Sequence, residues 1–399
     1  MMLDAIIQIG PDGSRDEELC TLLRAHTLAA EQSKNCRSSK LIAAVEQAVA
    51  SNPDLLTRDE QGNTWLAVGD DRWSAGRFEA VTIADLRERA RQARAAASPS
   101  PGAPTPRLRM WVLGGASIAT DIGTLQATAG DGALFQVASQ FNCLESPDAW
   151  QLAPVRNYVH DYTQGPRAAV GAFPATLLRH YRAPGADGQP FVQTTDGSQL
   201  DLLDEAVDPS LGGRHNGYFD GHRARDVAAI VDALRSNQDK IKVGVQTEAE
   251  VVLGADWYGT VQGRPRIAQV FTSTVAGGSY GGERAFGDQF PSVCAMLLRA
   301  AYRGTLLAAA AGGQRKVVLT LIGGGVFSND LGAIWTAITE AVEHVEPLLS
   351  GDMDVFVNVR ELRPLARALP ADEPLRTVQR WGGAVIQFER RSDQVVIER

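Results

Sequence analysis

Apolar residues recur along this chain with two different periods, and the two alternate. Near the start, Ser39–Ala50 places Leu41, Val45 and Val49 at helical spacing behind a serine in the N-cap position. An Arg/Ala-rich helix is expected over Ile83–Ala97. Further on, short runs rich in β-branched and aromatic residues read as strands: Leu108–Leu113, Ala133–Ala138, Ile241–Val245 and Ile267–Thr272. Helical spacing returns over Ala168–Tyr181. It appears again from about Pro291, where Val293, Leu297, Ala300, Gly304 and Leu307 share a stripe. Lys316–Ile322 is apolar on both alternations, as in a strand covered on two faces. It runs straight into Gly323, Gly324 and Gly325, after which Leu331, Ile334, Ile338, Ala341 and Val345 form the inner face of another helix. Met353–Val359 and Ala384–Phe388 supply the last strands. This alternation predicts an α/β protein, a three-layer α/β/α sandwich on a mixed sheet, preceded by a mostly helical extension. The Pro/Ser/Ala-rich stretch ending at Pro106 reads as a semi-rigid tether. The expected organisation is therefore an accessory region over 1–96, a linker over 97–106 and the main domain over 107–399.

The chain has 399 residues, 44% of them hydrophobic, enough for two cores. A net charge of −8 argues against non-specific nucleic-acid or anionic-membrane partners, which require basic patches. It leaves a nucleotide ligand open, because backbone N–H groups hold phosphates without net positive charge. The opening MMLDAIIQIGPDG lacks a basic n-region, and no apolar stretch approaches the roughly 18 residues of a membrane helix. Cys20, Cys36, Cys143 and Cys294 are widely spaced, and His160, His180, His215 and His222 form no metal pattern with them. No cofactor and no metal are expected. Cytoplasm is the default location, although a protein delivered into another cell by a secretion machine has the same composition.

Candidate chemistry concentrates at strand ends. In LTLIGGGVFSND (Leu319–Asp330) a buried strand stops at three glycines and turns into a helix. Glycine permits close backbone approach, so successive amides in such a turn can converge on a diphosphate, with Val326 and Phe327 flanking it. The alternative is a plain strand–helix turn. A second loop, FQVASQFNCLE (Phe135–Glu145), puts Asn142 just past a strand end, as a ribose ligand or a cap of its own turn. HDYTQGPRAAVGAF carries Gln164, Gly165 and Pro166 ahead of small residues that leave room for a ligand, with Asp161 just upstream. TDIGTLQA (Thr120–Ala127) puts Asp121 and a tight turn before a core strand. GGSYGGERAFGDQF is a Gly-rich candidate lid carrying Glu283 and Asp288, or an ordinary surface connection. Asp330 is a candidate acid or a helix N-cap. Asn216, Tyr218 and Phe219 offer a wall for adenine or a substrate protein. Asp161 and Asp330 rank ahead of Glu283 and Asp288 as catalytic carboxylates.

Taken in order, these segments resemble the macrodomain family over about residues 107 to 345. TDIGTLQ looks like the family's GDIT-x-L segment near the adenine, which implies ligand contacts from Asp121 and Ile122. FQVASQFN resembles the strand ending in its NAAN motif, with only Asn142 of the asparagine pair present. QGPRAAVGAF resembles the glycine-rich loop that follows, and LIGGGVFSND the second phosphate loop. The long insertion and the extra segment Arg182–Asp239 place the resemblance nearer the MavL-like, poly(ADP-ribose) glycohydrolase-like branch, with NCLE, YVHDYTQGP and VGVQTEAEV as further cues. The resemblance implies a macrodomain-like fold that binds ADP-ribose. It also implies an ADP-ribosylhydrolase acting on a protein side chain, arginine by preference and ubiquitin as a candidate target. A non-catalytic ADP-ribose reader and another hydrolase of NAD-derived nucleotides remain as alternatives, since fold alone does not choose among them.

Overall fold

The computed structural model describes residues 2–9, 13–32, 39–97, 105–115, 118–185, 187–254, 261, 263–388 and 395–399. Its strands in chain order are β1 (Leu56–Arg58), β2 (Thr64–Val68), β3 (Asp71–Thr82), β4 (Leu108–Gly114), β5 (Ala133–Ala138), β6 (Ala183–Pro184), β7 (Pro190–Phe191), β8 (Gly212–His215), β9 (Tyr218–Ala224), β10 (Lys242–Glu250), β11 (Arg266–Thr272), β12 (Lys316–Thr320), β13 (Met353–Arg360), β14 (Val385–Phe388) and β15 (Val395–Glu398). Eleven of them form one mixed sheet in the order β1-β2-β3-β10-β11-β5-β12-β13-β4-β14-β15. From β11 to β14 all neighbours are parallel, and both flanks are antiparallel. The parallel centre is buried on both sides, which is why β5 and β12 read as unbroken apolar runs.

Helices cover both faces. The helices of the chain are α1 (Met2–Ile7), α2 (Asp16–Gln32), α3 (Ser39–Ser51), α4 (Ile83–Ala96), α5 (Ile122–Thr128), α6 (Gln164–Gly171), α7 (Phe173–Tyr181), α8 (Val227–Ser236), α9 (Gly282–Phe286), α10 (Phe290–Gly312), α11 (Leu331–Val345), α12 (Leu362–Ala368) and α13 (Glu373–Arg380). Side chains three apart on a strand leave from opposite faces. On β10, Val243 meets Gly304 of α10, whereas Gln246 meets Arg179 of α7. One layer is thus α10 with α4 and α11, and the other α6 and α7 with α3 and α5. The three-layer α/β/α reading holds. By length and composition the stretch Gly282–Gly312 is one that could cross a membrane, which the sequence reading missed. Its apolar window is 83% buried in the protein, as for the central helix of a layered fold.

Two expectations change. The region before the linker is helical over much of its length, but residues 56–82 also supply β1–β3. β3 pairs with β10 from Thr82↔Lys242 to Arg77↔Thr247, and α4 packs on α10. Residues 56–96 therefore belong to the main sheet and its helical layer. Residues 98–104 of the expected linker lie outside the described residues. The single helix expected over Ala168–Tyr181 is two: α6 starts earlier, at Gln164, and the chain breaks at Ala172. Pro174 has no N–H for the carbonyl four residues back and its ring crowds that carbonyl, so it opens a new helix instead.

Candidate active site

Because β11, β5, β12 and β13 run parallel, their carboxyl ends share one edge, where α/β sheets expose ligand crevices. β5 and β12 pair only as far as Phe135↔Val318 and then part. The Gln164 side chain fills the gap: Ala138 N–H donates to its Oε1 at 3.0 Å, and its Nε2 donates to the Gln136 carbonyl at 3.0 Å. This pins the start of α6 against the end of β5. Two cavities open on either side, of about 340 and 410 Å³, and Gln164, Thr320, Leu321, Gly325 and Arg360 border both.

The loop after β5 is closed on itself. Gln140 receives the Ser146 N–H at 2.9 Å and donates to the Ser146 carbonyl at 3.2 Å. Asn142, fully buried, receives the Leu144 N–H and donates to Gln199. Glu145 is the exception. Its N–H is held by the Tyr158 hydroxyl at 2.9 Å, and its carboxyl lines the smaller cavity at 4% exposure. Oε1 has no hydrogen-bond partner among the described residues. A Cβ on Gly165 would stand 2.5 Å from Oε2 and 1.8 Å from the Ala138 carbonyl, so glycine is required there. Burial pushes the Glu145 carboxyl well above the usual glutamate range; the buried Arg179 guanidinium opposes this and Asp161 adds to it. Asp161 also borders the cavity, partly exposed, with its carboxylate receiving the Thr163 N–H and hydroxyl.

The loop after β12 is held at its far end and open at its tip. Asn329 anchors it, accepting from Thr274 Oγ1 and donating to the Val275 and Phe327 carbonyls. Gly323 adopts φ +74°, and a Cβ there would meet Thr274 Cγ2 at 2.7 Å. Gly325 differs. Its φ is not positive and a Cβ would meet nothing within 4 Å. The N–H groups of Gly325, Val326 and Phe327 donate to no protein group among the described residues. Beside this tip stands Arg360, exposed at the end of β13 with φ +53° and with no ion-pair partner among the described residues.

An aromatic wall completes the smaller cavity. Tyr218 and Tyr280 stack at 5.6 Å, and Phe327 lies 5.3 Å from Tyr280. The Tyr280 hydroxyl reaches across to the Pro147 carbonyl at 2.8 Å, and the Tyr218 hydroxyl to that of Ser146 at 2.7 Å. The second cavity contains Asp121, paired with Arg167 at 2.8 Å with both buried, together with Ile122 and Gly324.

The structure thus brings together Asp121, Ile122, Asp161, Gln164, Gly165, Pro166, Gly323, Gly324, Gly325, Val326 and Phe327 along one pair of cavities. It leaves four candidates outside. Asn142 faces inward and holds its own turn. Asp330 is the N-cap of α11, its carboxylate taken by the Ala333 N–H at 2.7 Å. Glu283 receives the Gly278 N–H and braces its own loop, and Asp288 is exposed in the turn before α10. What the Gly-rich segment brings to the cavity is the Tyr280 ring. Glu145, Tyr280 and Arg360 escaped the sequence reading. The available signal for Glu145 was an acid directly after the apolar pair Cys143-Leu144. Among the described residues no group of three or more His, Cys, Asp or Glu side chains is placed to hold a metal.

No protein-family model and no curated protein sequence matches this chain. Among solved structures, poly(ADP-ribose) glycohydrolase from Deinococcus radiodurans in complex with ADP-ribose is 13% identical with a TM-score of 0.40, over 73% of this chain and 93% of that one. Poly(ADP-ribose) glycohydrolase from Thermomonospora curvata is 14% identical with a TM-score of 0.40, over 83% of this chain and 99% of that one. These are distant likenesses.

Proposed function

We propose that the chain is an ADP-ribosyl glycohydrolase that removes mono-ADP-ribose from a protein side chain. One observation carries the reading: the buried Glu145 carboxyl, its Oε1 without a partner among the described residues, borders the same cavity as a loop whose amides at Gly325, Val326 and Phe327 are unused there. In this reading the adenosine occupies the cavity of Asp121 and Ile122. The diphosphate lies over the amides of Gly325, Val326 and Phe327 with Arg360 as counter-charge, and the distal ribose enters the cavity of Glu145.

A carboxyl whose burial holds its proton beyond the ordinary glutamate range suits general-acid work on an N- or O-glycosidic bond. As the bond at the anomeric carbon lengthens and that carbon gains oxocarbenium character, Glu145 gives its proton to the departing atom. The resulting carboxylate takes a proton from water as the water oxygen bonds to the anomeric carbon. Asp161, at the mouth, orients that water and stabilises the positive charge. Arginine is the acceptor side chain the mouth favours. The Asp161 carboxylate borders this cavity, so a guanidinium entering it meets negative charge. The narrower assignment, to the MavL-like branch with ubiquitin as target, rests on the sequence resemblance and is part of the proposal.

A titration with ADP-ribose, paired with a release assay on arginine-, serine- and glutamate-linked substrates, tests this. A ligand bound only by the folded state adds about 2.7 kcal/mol at roughly 100 times its dissociation constant, an evident rise in melting temperature. Stabilisation without release from any substrate would make the protein a reader of ADP-ribose; no stabilisation would reject the site.

A further inference from the structure

The helix α3, far from the cavities in sequence, holds a carboxylate that the chemistry above does not use. Glu46 is fully buried, on a helix face otherwise anchored by Ile42, Val45 and Val49. Its Oε1 receives the Val155 N–H at 2.6 Å and the Tyr181 hydroxyl at 3.1 Å. Its Oε2 receives the Arg156 N–H at 2.9 Å and the Arg156 guanidinium at 3.2 Å. A buried carboxylate with four donors is satisfied, and stripping them strands either the charge or the amides.

What it grips is the beginning of the helical turn Val155–His160. That turn carries Tyr158, whose hydroxyl takes the Glu145 N–H, and it ends at Asp161, which borders the same cavity. A single carboxylate from the N-terminal region thus ties down the segment that locates both acids of the cavity. The other ionisable groups around Glu46 are His180, stacked on Tyr181, and Tyr158; those around Glu145 include Arg179, Cys143, Tyr158, Tyr218 and Asp161.

Building on the glycohydrolase reading, we infer that Glu46 is a positioning residue for the site: through residues 155–161 it sets where the Glu145 and Asp161 carboxyls stand. The first 96 residues then complete the catalytic unit.

The test uses the full chain and E46A, with two readouts. The first is kcat and KM for ADP-ribose release. A displaced acid costs turnover far more than affinity, so kcat falls about tenfold to a hundredfold while KM moves by no more than about threefold. The second is the ionisation midpoint of Glu145, read as the carboxyl infrared band absent from E145Q. It shifts down in E46A as water reaches the carboxyl. Unchanged kcat and an unchanged midpoint in folded E46A overturn the inference. So does a loss of turnover that only follows the folded fraction seen by circular dichroism. If E46A does not fold, Y158F cuts the same connection one step later and must lower kcat and shift the midpoint in the same direction; wild-type values for both overturn it. If the wild type releases ADP-ribose from no substrate, the glycohydrolase reading fails while the infrared midpoint still decides whether Glu46 acts on Glu145.

Discussion

The loops that leave β5 and β12 start from neighbouring strands at the same sheet edge, yet they are built on opposite plans. After β5, the side chains of Gln140 and Asn142 are spent on tying the loop to itself and to Gln199, while Oε1 of Glu145 has no partner among the described residues. After β12, the anchoring is done by Asn329, and three successive amides at the tip have no partner among the described residues. A saturated loop resists relaxation, so it can keep a carboxyl out of water at a protonation state it would not hold in solution. An open loop keeps its donors for an anion arriving from outside. The division teaches that chemistry and grip are separable here: damage to the first should spare binding, and damage to the second should spare the acid.

The largest effect is expected from E145Q. Release of ADP-ribose falls by about 10²- to 10⁴-fold, as for loss of a general acid, while calorimetric affinity for ADP-ribose is retained. Lost affinity with the same loss of turnover would break the division. The same variant has a pH signature. Glu145 keeps its proton in the fold up to a higher pH than in the unfolded chain, so the folded state binds more protons in between. That stabilisation is complete below the ordinary glutamate range and disappears as pH rises through the raised value. Thermal melts should therefore show E145Q gaining on the wild type as pH increases.

Next comes G325V. The site of its new side chain is open in the protein, so the melting temperature stays near wild type. Affinity for ADP-ribose drops at least about tenfold, equivalent to about 1.4 kcal/mol. Wild-type affinity would remove the diphosphate from this loop. G323A, two residues away, should behave in the opposite way. It forces a side chain into a left-handed backbone and onto Thr274, at a cost of about 1–3 kcal/mol of stability in denaturant melts. The most specific effect belongs to N142A. It removes the acceptor of the Leu144 N–H, which costs about 1–3 kcal/mol of stability, and leaves ADP-ribose affinity per folded molecule unchanged. A selective loss of affinity would return Asn142 to the ribose.

The parts of this molecule that were legible in sequence are those decided locally. β5 and β12 are buried on both faces and so carry uninterrupted apolar runs, and three glycines at the end of β12 mark a bare backbone directly. Glu145 was not legible because its burial is imposed from elsewhere, by Gly165, Tyr158 and Arg179. Asn142 and Asp330 misled for the complementary reason: short polar side chains at strand ends and helix starts serve their own backbone first. Tyr280 lay in a segment read for its acids, although an aromatic ring in a glycine-rich stretch is the group with reach. β1 and β2 were missed because they are brief and separated from their neighbours by turns such as Gly69-Asp70, and β3 because its partner β10 lies about 160 residues away.

The pairing of β3 with β10 moves the end of the sheet outward, to a three-residue strand at β1 with two of its residues exposed. A stub that short offers little backbone for a second molecule to copy, whereas β10, nine residues long, would offer a full template. Trimming the protein at its proline-rich stretch, where a cut looks safest, would strip that cover and yield a self-associating remnant.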